Sequence, residues 1–232
     1  FRRVLFRSGD NSVNPYFNDA MSQEISYETT GTGADVSAGG VRINMIPREG
    51  GNRFSGAAFM AWSDGSWQAN NLTDRLKSKG LSAVDKVKRI FDFNFSIGGP
   101  VKQDKLWFFT SARAWGVDSP VGDVFYTPAN VPYSTGYLQC KSGAASCEQA
   151  VDDQMIKSAM LRLTWQMSPK NKLGVYYDRL YKTRGHDMTA GIDPRTAAFI
   201  WRSPVYYTSQ IKWTSTLSSK LLLETEIGRA HV

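Results

Sequence analysis

From Arg53 onward the chain is written in short runs of alternating apolar and polar residues, the mark of extended strands with one apolar face. Phe91, Phe93, Phe95 and Ile97 alternate with Asp92, Asn94, Ser96 and Gly98, and Ala159, Leu161, Leu163, Trp165 and Met167 with Met160, Arg162, Thr164 and Gln166. Val205, Tyr207, Ile211 and Trp213 alternate with Tyr206, Thr208, Gln210, Lys212 and Thr214, interrupted at Ser209. Less regular strands are predicted at Arg53–Trp62, Leu106–Trp115, Lys172–Tyr181 and Leu221–Thr225. The complete runs are about 9 to 13 residues long, beyond the roughly 5 to 6 of a globular strand and matched to a tilted bilayer crossing.

The connections carry a second pattern. Gly99–Lys105, Ser168–Asn171 and Ser215–Lys220 are rich in Gly, Pro, Ser, Asn and Lys and read as tight turns, whereas Ser63–Lys88, Gly116–Gln154 and Lys182–Ser203 are long and irregular. Strict alternation of short and long connections is what an outer-membrane barrel shows, with short periplasmic turns and long extracellular loops. In such a barrel the apolar side of each run faces lipid and the polar side lines the lumen. None of the three regular runs carries a charge on its apolar side, where one near the midplane would cost about 2 to 4 kcal/mol. Trp107, Trp115, Trp165, Tyr177, Tyr207 and Trp213 lie toward strand ends, as interfacial girdles do. Ordinary core aromatics of a β-protein are the alternative. Asp10–Gly51 differs in texture: it is rich in Gly, Ser, Thr and Asn, has one strand-like run at Gly40–Ile46, and reads as the end of a small polar domain.

Composition narrows the class. Apolar stretches such as Ala57–Trp62 are far shorter than the roughly 18 to 20 residues of a membrane-spanning helix, so the expectation is all-β. Hydrophobic residues make up 41% and aromatic residues 12%, the first slightly low and the second high for a globular chain. The formal charge is +7. Phe1–Ser8 can be written TTC AGA CGT GTG CTC TTC CGA TCT and Glu226–Val232 GAG ATC GGA AGA GCA CAC GTC. Apart from its first G, the second string is the reverse complement of the end of the first. Residues 1–8 and 226–232 are therefore read as translated sequencing adapter flanking a gene fragment. Setting them aside leaves 24 basic and 20 acidic residues, a net +4.

Chemistry that would make an enzyme is not expected. His186 is the single histidine outside the flanks, and no zinc-protease, phosphate-loop or nucleophile-elbow pattern occurs. Gly31 and Gly33 begin a G-x-G-x-x-G that Val36 breaks, which suits a loop better than a dinucleotide site. No cofactor and no metal site are expected. Cys140 and Cys147 lie inside the longest loop at the spacing of a small local disulfide, which an extracellular or periplasmic location permits; two free thiols are the alternative. Lys77, Lys79, Lys86, Lys88 and Arg89 are interleaved with Leu81, Ala83 and Val84 rather than with stacking aromatics, so they read as a solvated loop or a contact for anionic lipopolysaccharide, not a nucleic-acid surface. Trp115, Tyr126, Tyr133, Tyr137 and Trp201 are ligand-facing candidates, and they could equally pack the loops against one another.

The stretch GGVRINMIPREGGNRFSGAAFMAW, Gly39–Trp62, resembles the plug-to-barrel junction of TonB-dependent outer-membrane receptors. FSIGGPVKQDKLWFF, Phe95–Phe109, is similar to the second strand, first periplasmic turn and third strand of such receptors, and LRLTWQMSPKNKLGVYYD, Leu161–Asp178, to the next hairpin. The resemblance implies that residues 9–52 are the C-terminal part of a plug domain and 53–225 about seven strands of a 22-strand barrel. It implies a Gram-negative outer-membrane location and energised uptake of a scarce solute such as a siderophore or carbohydrate. The implied partners are outer-membrane lipid and lipopolysaccharide, the solute, and an inner-membrane TonB-type protein reached through a preceding segment. Because a plug must be released, polar contacts are expected between Arg42, Arg48 and Glu49 on its side and Asp92, Asn94 and Arg162 on the lumen side. The rival reading is a secreted or surface β-sandwich adhesin that binds carbohydrate. That fold would need long loops at both ends and a core between two sheets.

Overall fold

The computed structural model describes residues 4–5, 18–28, 42–188, 191–202 and 205–231. Gly31, Gly33 and Val36 lie outside the described residues. The architecture is all-β: no described helix is long and apolar enough to cross a membrane, and the sheets are antiparallel and open. A small sheet joins β1 (Val4–Leu5), β2 (Ser22–Glu28) and β3 (Arg42–Pro47) in the order β1-β3-β2. A larger sheet follows as a meander of β4 (Ser55–Asp64), β5 (Arg89–Lys102), β6 (Leu106–Tyr126), β7 (Glu148–Ser168), β8 (Asn171–Asp187), β9 (Phe199–Arg202), β10 (Tyr206–Ser218) and β11 (Leu221–His231). Each strand pairs with its sequence neighbour, except that β10 pairs with β8 and β9 adds beside the upper end of β8. The region read as adapter continues β11, with Glu226 opposite Lys212 and His231 opposite Tyr207.

Tight connections at residues 103–105, 169–170 and 219–220 close one end of the large sheet, and a register shift precedes each of them at Pro100/Lys102, Gln166/Ser168 and Thr216/Ser218. Such bulges add twist where a strand must reverse. The connections at 65–88, 127–147 and 188–205 all leave the opposite end. They are shorter than expected because β5 to β8 run well past their apolar stretches. Ladder hydrogen bonds involve only backbone groups, so polar residues such as Asp118, Asp152 and Asp153 extend the pairing. Pro100 and Pro120 are tolerated inside β5 and β6 because β4 stops at the Ser55–Gly98 pair and β5 stops at the Arg89–Asp118 pair, leaving one side of each proline free of a ladder.

Burial along the strands is inverted relative to a water-soluble sheet. Leu161 is 46% exposed and Trp165 43%, whereas Thr164 on the opposite face of the same strand is 3% exposed. On β8, Val175, Tyr177 and Tyr181 are exposed while Tyr176 and Asp178 are buried. Phe93, Phe95, Ile211 and Trp213 lie on the exposed side, and Ser96 and Ser111 are enclosed. A sandwich would cover the apolar side with a second sheet, but the small sheet packs on the polar one. Trp107 and Trp115 do not join the exposed aromatics: they pair with Thr164 and Ile156, so strand parity places them on the enclosed face. Trp165 and Trp213 flank Leu173 in one row near the tight turns.

Candidate functional site

The enclosed face of the large sheet holds a seam against the small sheet. Residues 48–54 link the two, so the seam begins where the chain leaves β3. Glu49 accepts from Arg162 and, at 3.0 Å, from Lys172, while Arg162 Nη1 donates to the Pro47 carbonyl at 3.0 Å. Asn94 Nδ2 donates to Asn18 Oδ1 at 2.7 Å, and Asn18 caps a short turn, Asp19–Met21, through the Ala20 amide. Met21 from that turn packs among Phe109, Met160 and Tyr176, with Met45 beside them. One small element thus touches β5, β6, β7 and β8 on a single face.

Not every charge expected at the seam is there. Arg48 turns back into the small sheet, its Nε donating to the Ser22 carbonyl at 3.0 Å. Side chains of adjacent residues leave the backbone in different directions, so Glu49 reaches the large sheet and Arg48 does not. Asp92 is held within the large sheet by a two-point pair with Arg113 at 2.8 and 2.7 Å, because the β5–β6 register sets Arg113 opposite Asn94, diagonal to Asp92. Arg42 pairs through its backbone with Glu28 and Leu5, and its side chain lies outside the described residues. Neither Asn18, Lys172 nor the methionine contact carries a signal in the alternation or the charge pattern. Only the alternation of Met160 with its exposed neighbours pointed to an apolar residue on the polar face.

The link itself is anchored at the tight-turn end. Asn52 Oδ1 accepts from the Asp104 amide at 2.9 Å and from Trp107 Nε1 at 2.6 Å, fixing the turn where Asp104 takes a positive φ of 60°. A Cβ on Gly50 would stand 2.1 Å from the Phe108 carbonyl oxygen, whereas one on Gly51 would meet nothing within 4 Å. Gly50→Ala in the complete protein is therefore expected to destabilise by about 1 to 3 kcal/mol. Gly51→Ala should stay within about 0.5 kcal/mol, with denaturant midpoints deciding between them.

At the long-loop end the same face opens into a cavity of about 580 Å³ whose lining includes Gln68, Lys86, Asp152, Gln154 and Arg184. Arg184 is held by Asp152 at 3.2 and 2.7 Å and by Asp187 at 3.0 Å. Above the sheet the loops interlock. Cys140 in the helix α1 (Tyr133–Ser142) is bonded to Cys147, and Val124, Ala150 and Met188 form a small apolar cluster. Tyr133 donates to the Ile192 carbonyl at 2.6 Å, Tyr137 packs against Phe125 and Tyr133, and Arg195 lies over the Tyr126 ring. These three tyrosines therefore pack loop on loop and do not line the cavity. Trp115 lies on the enclosed face beneath Arg113, and Trp201 pairs through its backbone with Arg184, its side chain outside the described residues. Among the described residues no group of His, Cys, Asp and Glu is arranged to hold a metal; His186 bonds Asp153 at 2.6 Å.

Asp123 knots three loop segments together, accepting from the Ser82 hydroxyl and the Ser82 and Ala83 amides at 2.8 to 3.0 Å and from Lys141 at 3.1 Å. Burial opposes its charge, but these donors outweigh burial and hold the carboxyl below its ordinary value. A depressed carboxylate stabilises the folded state above its unfolded pKa, and that contribution is lost as pH falls through the folded value. Loop amides near Ser82 should keep their exchange protection at neutral pH and lose it below about pH 4. Asp123→Asn should remove the pH dependence.

No family model matches the chain, and no solved structure matches it. Among curated proteins, the TonB-dependent transporter Oar of Myxococcus xanthus is 36% identical over 73 residues, which is 32% of this chain and 7% of that protein. The likeness thus relates about a third of the chain to a small part of a much longer transporter.

Proposed function

We propose that this chain is a piece of a TonB-dependent receptor, comprising the end of its plug and the first strands of its barrel, and that it serves solute uptake across a Gram-negative outer membrane rather than catalysis. The observation that carries the reading is the inverted burial: apolar residues stand exposed on one face of a sequential antiparallel meander, while its polar face encloses a small polar sheet. Such an arrangement is unfavourable in water and favourable where the exposed face meets hydrocarbon. All long connections leaving one end, and the partial likeness to a transporter, support it. In this reading the seam of Glu49, Arg162, Asn94 and Asn18 holds the plug, and the cavity beside Arg184 faces the outside. The solute is a small molecule able to enter that cavity, and the energy partner is an inner-membrane TonB-type protein. The test compares solute depletion from defined medium by cells with and without the complete gene. Depletion of a solute that needs the gene and stops on adding a protonophore is expected; identical depletion by both strains, across a broad metabolite panel, would refute uptake.

A further inference from the structure

The seam between the two sheets gathers side chains that apolar packing alone does not explain. Met21, from the Asp19–Met21 turn, and Met160 on β7 are 3% and 2% exposed and pack with Phe109 and Tyr176, and Met45 on β3 lies against them. Three of the chain's 7 methionines thus meet at one place, two from the small-sheet side and one from the large sheet. The Tyr176 hydroxyl donates to Met21 Sδ at 3.8 Å, so that sulfur is turned toward β8. Asp178 stands directly opposite Met160 in the β7–β8 ladder, on the same face as Tyr176. It is 5% exposed, its Oδ1 has no hydrogen-bond partner, and it forms no ion pair with a described residue. The cations nearest in register are engaged or turned away: Arg162, opposite Tyr176, serves Glu49 and the Pro47 carbonyl, and Arg179 is exposed on the other face.

A carboxylate enclosed without a counter-charge is costly, and a cation beside it offsets that cost. The donors at hand decide which cation. Thioethers are uncharged and soft, and they select Cu(I) over hard or borderline divalent ions. Ca²⁺ takes about six to eight oxygens, and structural Zn²⁺ is held mostly by thiolates and imidazoles. Neither thiolate nor imidazole is on offer: Cys140 and Cys147 are bonded to each other, and His186 is held by Asp153 at the long-loop end of β8. One monovalent cation also cancels one carboxylate, where a divalent ion would leave a buried charge. We propose that Met21, Met160 and Asp178, with Met45 as a further thioether, form a binding site for Cu(I) that ties the Asp19–Met21 turn to β7 and β8. Such a site holds the small sheet against the large one whatever solute is carried.

The test is a competition titration of the complete protein in detergent, with ascorbate-reduced copper shared between the protein and the chromophoric Cu(I) chelator bicinchoninate. The wild type should hold Cu(I) against the chelator. Ag(I), an ion of the same softness, should displace it, whereas Zn²⁺ and Ca²⁺ should not. Met21→Leu and Met160→Leu keep volume and apolarity, so the fold should survive. Each should weaken retention by about a hundredfold, the upper end of what losing even an outer partner of a metal ligand costs. Asp178→Asn keeps the shape but removes the charge, and should weaken it by about tenfold or more. Loading with Ag(I) should also slow amide exchange in the Asp19–Met21 turn of the wild type but not of Met21→Leu. Wild-type retention by folded Met21→Leu or Met160→Leu would overturn the proposal, as would retention insensitive to Asp178→Asn. So would a folded wild type that gives up all its copper to the chelator, which would leave Asp178 to a buried water.

Discussion

Placing arginine at Phe95 or Leu161 should largely abolish folding of the complete receptor into lipid vesicles. Both residues are exposed, Phe95 at 50% and Leu161 at 46%, so in water neither change would create a buried charge and the expected cost would be small. In a bilayer Leu161 lies near mid-height of the apolar band, where arginine costs about 2 to 4 kcal/mol, and Phe95 lies one pair higher, in the row that ends on Arg179, where the cost is smaller. Applied to both sites the cost is roughly additive, since the residues stand on β5 and β7 with β6 between them. Leucine at Phe95 is the control, because it keeps the face apolar and should fold normally. Heat-modifiable mobility on gels reports the outcome. Folding yields equal to wild type for the arginine pair would mean that this face does not meet hydrocarbon.

Loss of Arg162 should have the next largest effect, and should act locally. Its guanidinium serves the Pro47 carbonyl and Glu49 at once, so Arg162→Met leaves a carbonyl unpartnered and Glu49 with Lys172 alone. Leaving such groups unmatched costs about 1 to 3 kcal/mol. The expected readout is a rise of roughly tenfold or more in amide exchange along β3, with the ladders of β7 and β8 unchanged. A double-mutant cycle with Glu49→Gln should show coupling of about 1 kcal/mol or more, because the two residues touch. Asp92→Asn should not loosen β3, since Asp92 is held by Arg113 within the large sheet. Equal loosening by Asp92→Asn would mean that the seam is not where these contacts put it.

Much of the strand order was legible because one face of each strand is apolar, and period-two alternation survives without knowledge of what covers it. Strand length was not legible. Glu148–Gln154 and Val117–Tyr126 lack an apolar face, yet they pair through backbone groups that are indifferent to side-chain polarity. Trp107 and Trp115 show the limit of counting aromatics near strand ends: parity, not position along the strand, decides which face a side chain takes. At the seam, charges such as Glu49 and Arg162 stood out because they lie on a face that should be wet. Asn18 and Lys172 did not, one in a stretch that reads as loop and the other beside a turn where lysine is common. The three loop tyrosines carried no signal separating ligand stacking from loop packing, since both require an exposed-looking aromatic in a long connection.

The most direct measurement places spin labels singly at positions 159 to 167 of the complete receptor in bilayers and compares relaxation by oxygen, which concentrates in hydrocarbon, with relaxation by a water-soluble nickel chelate. Labels at 159, 161, 163 and 165 should be oxygen-sensitive and those at 160, 162, 164 and 166 should not, giving a period of two in phase with the exposed residues. Uniform nickel sensitivity, or an alternation in the opposite phase, would contradict a sheet whose apolar face looks outward into lipid.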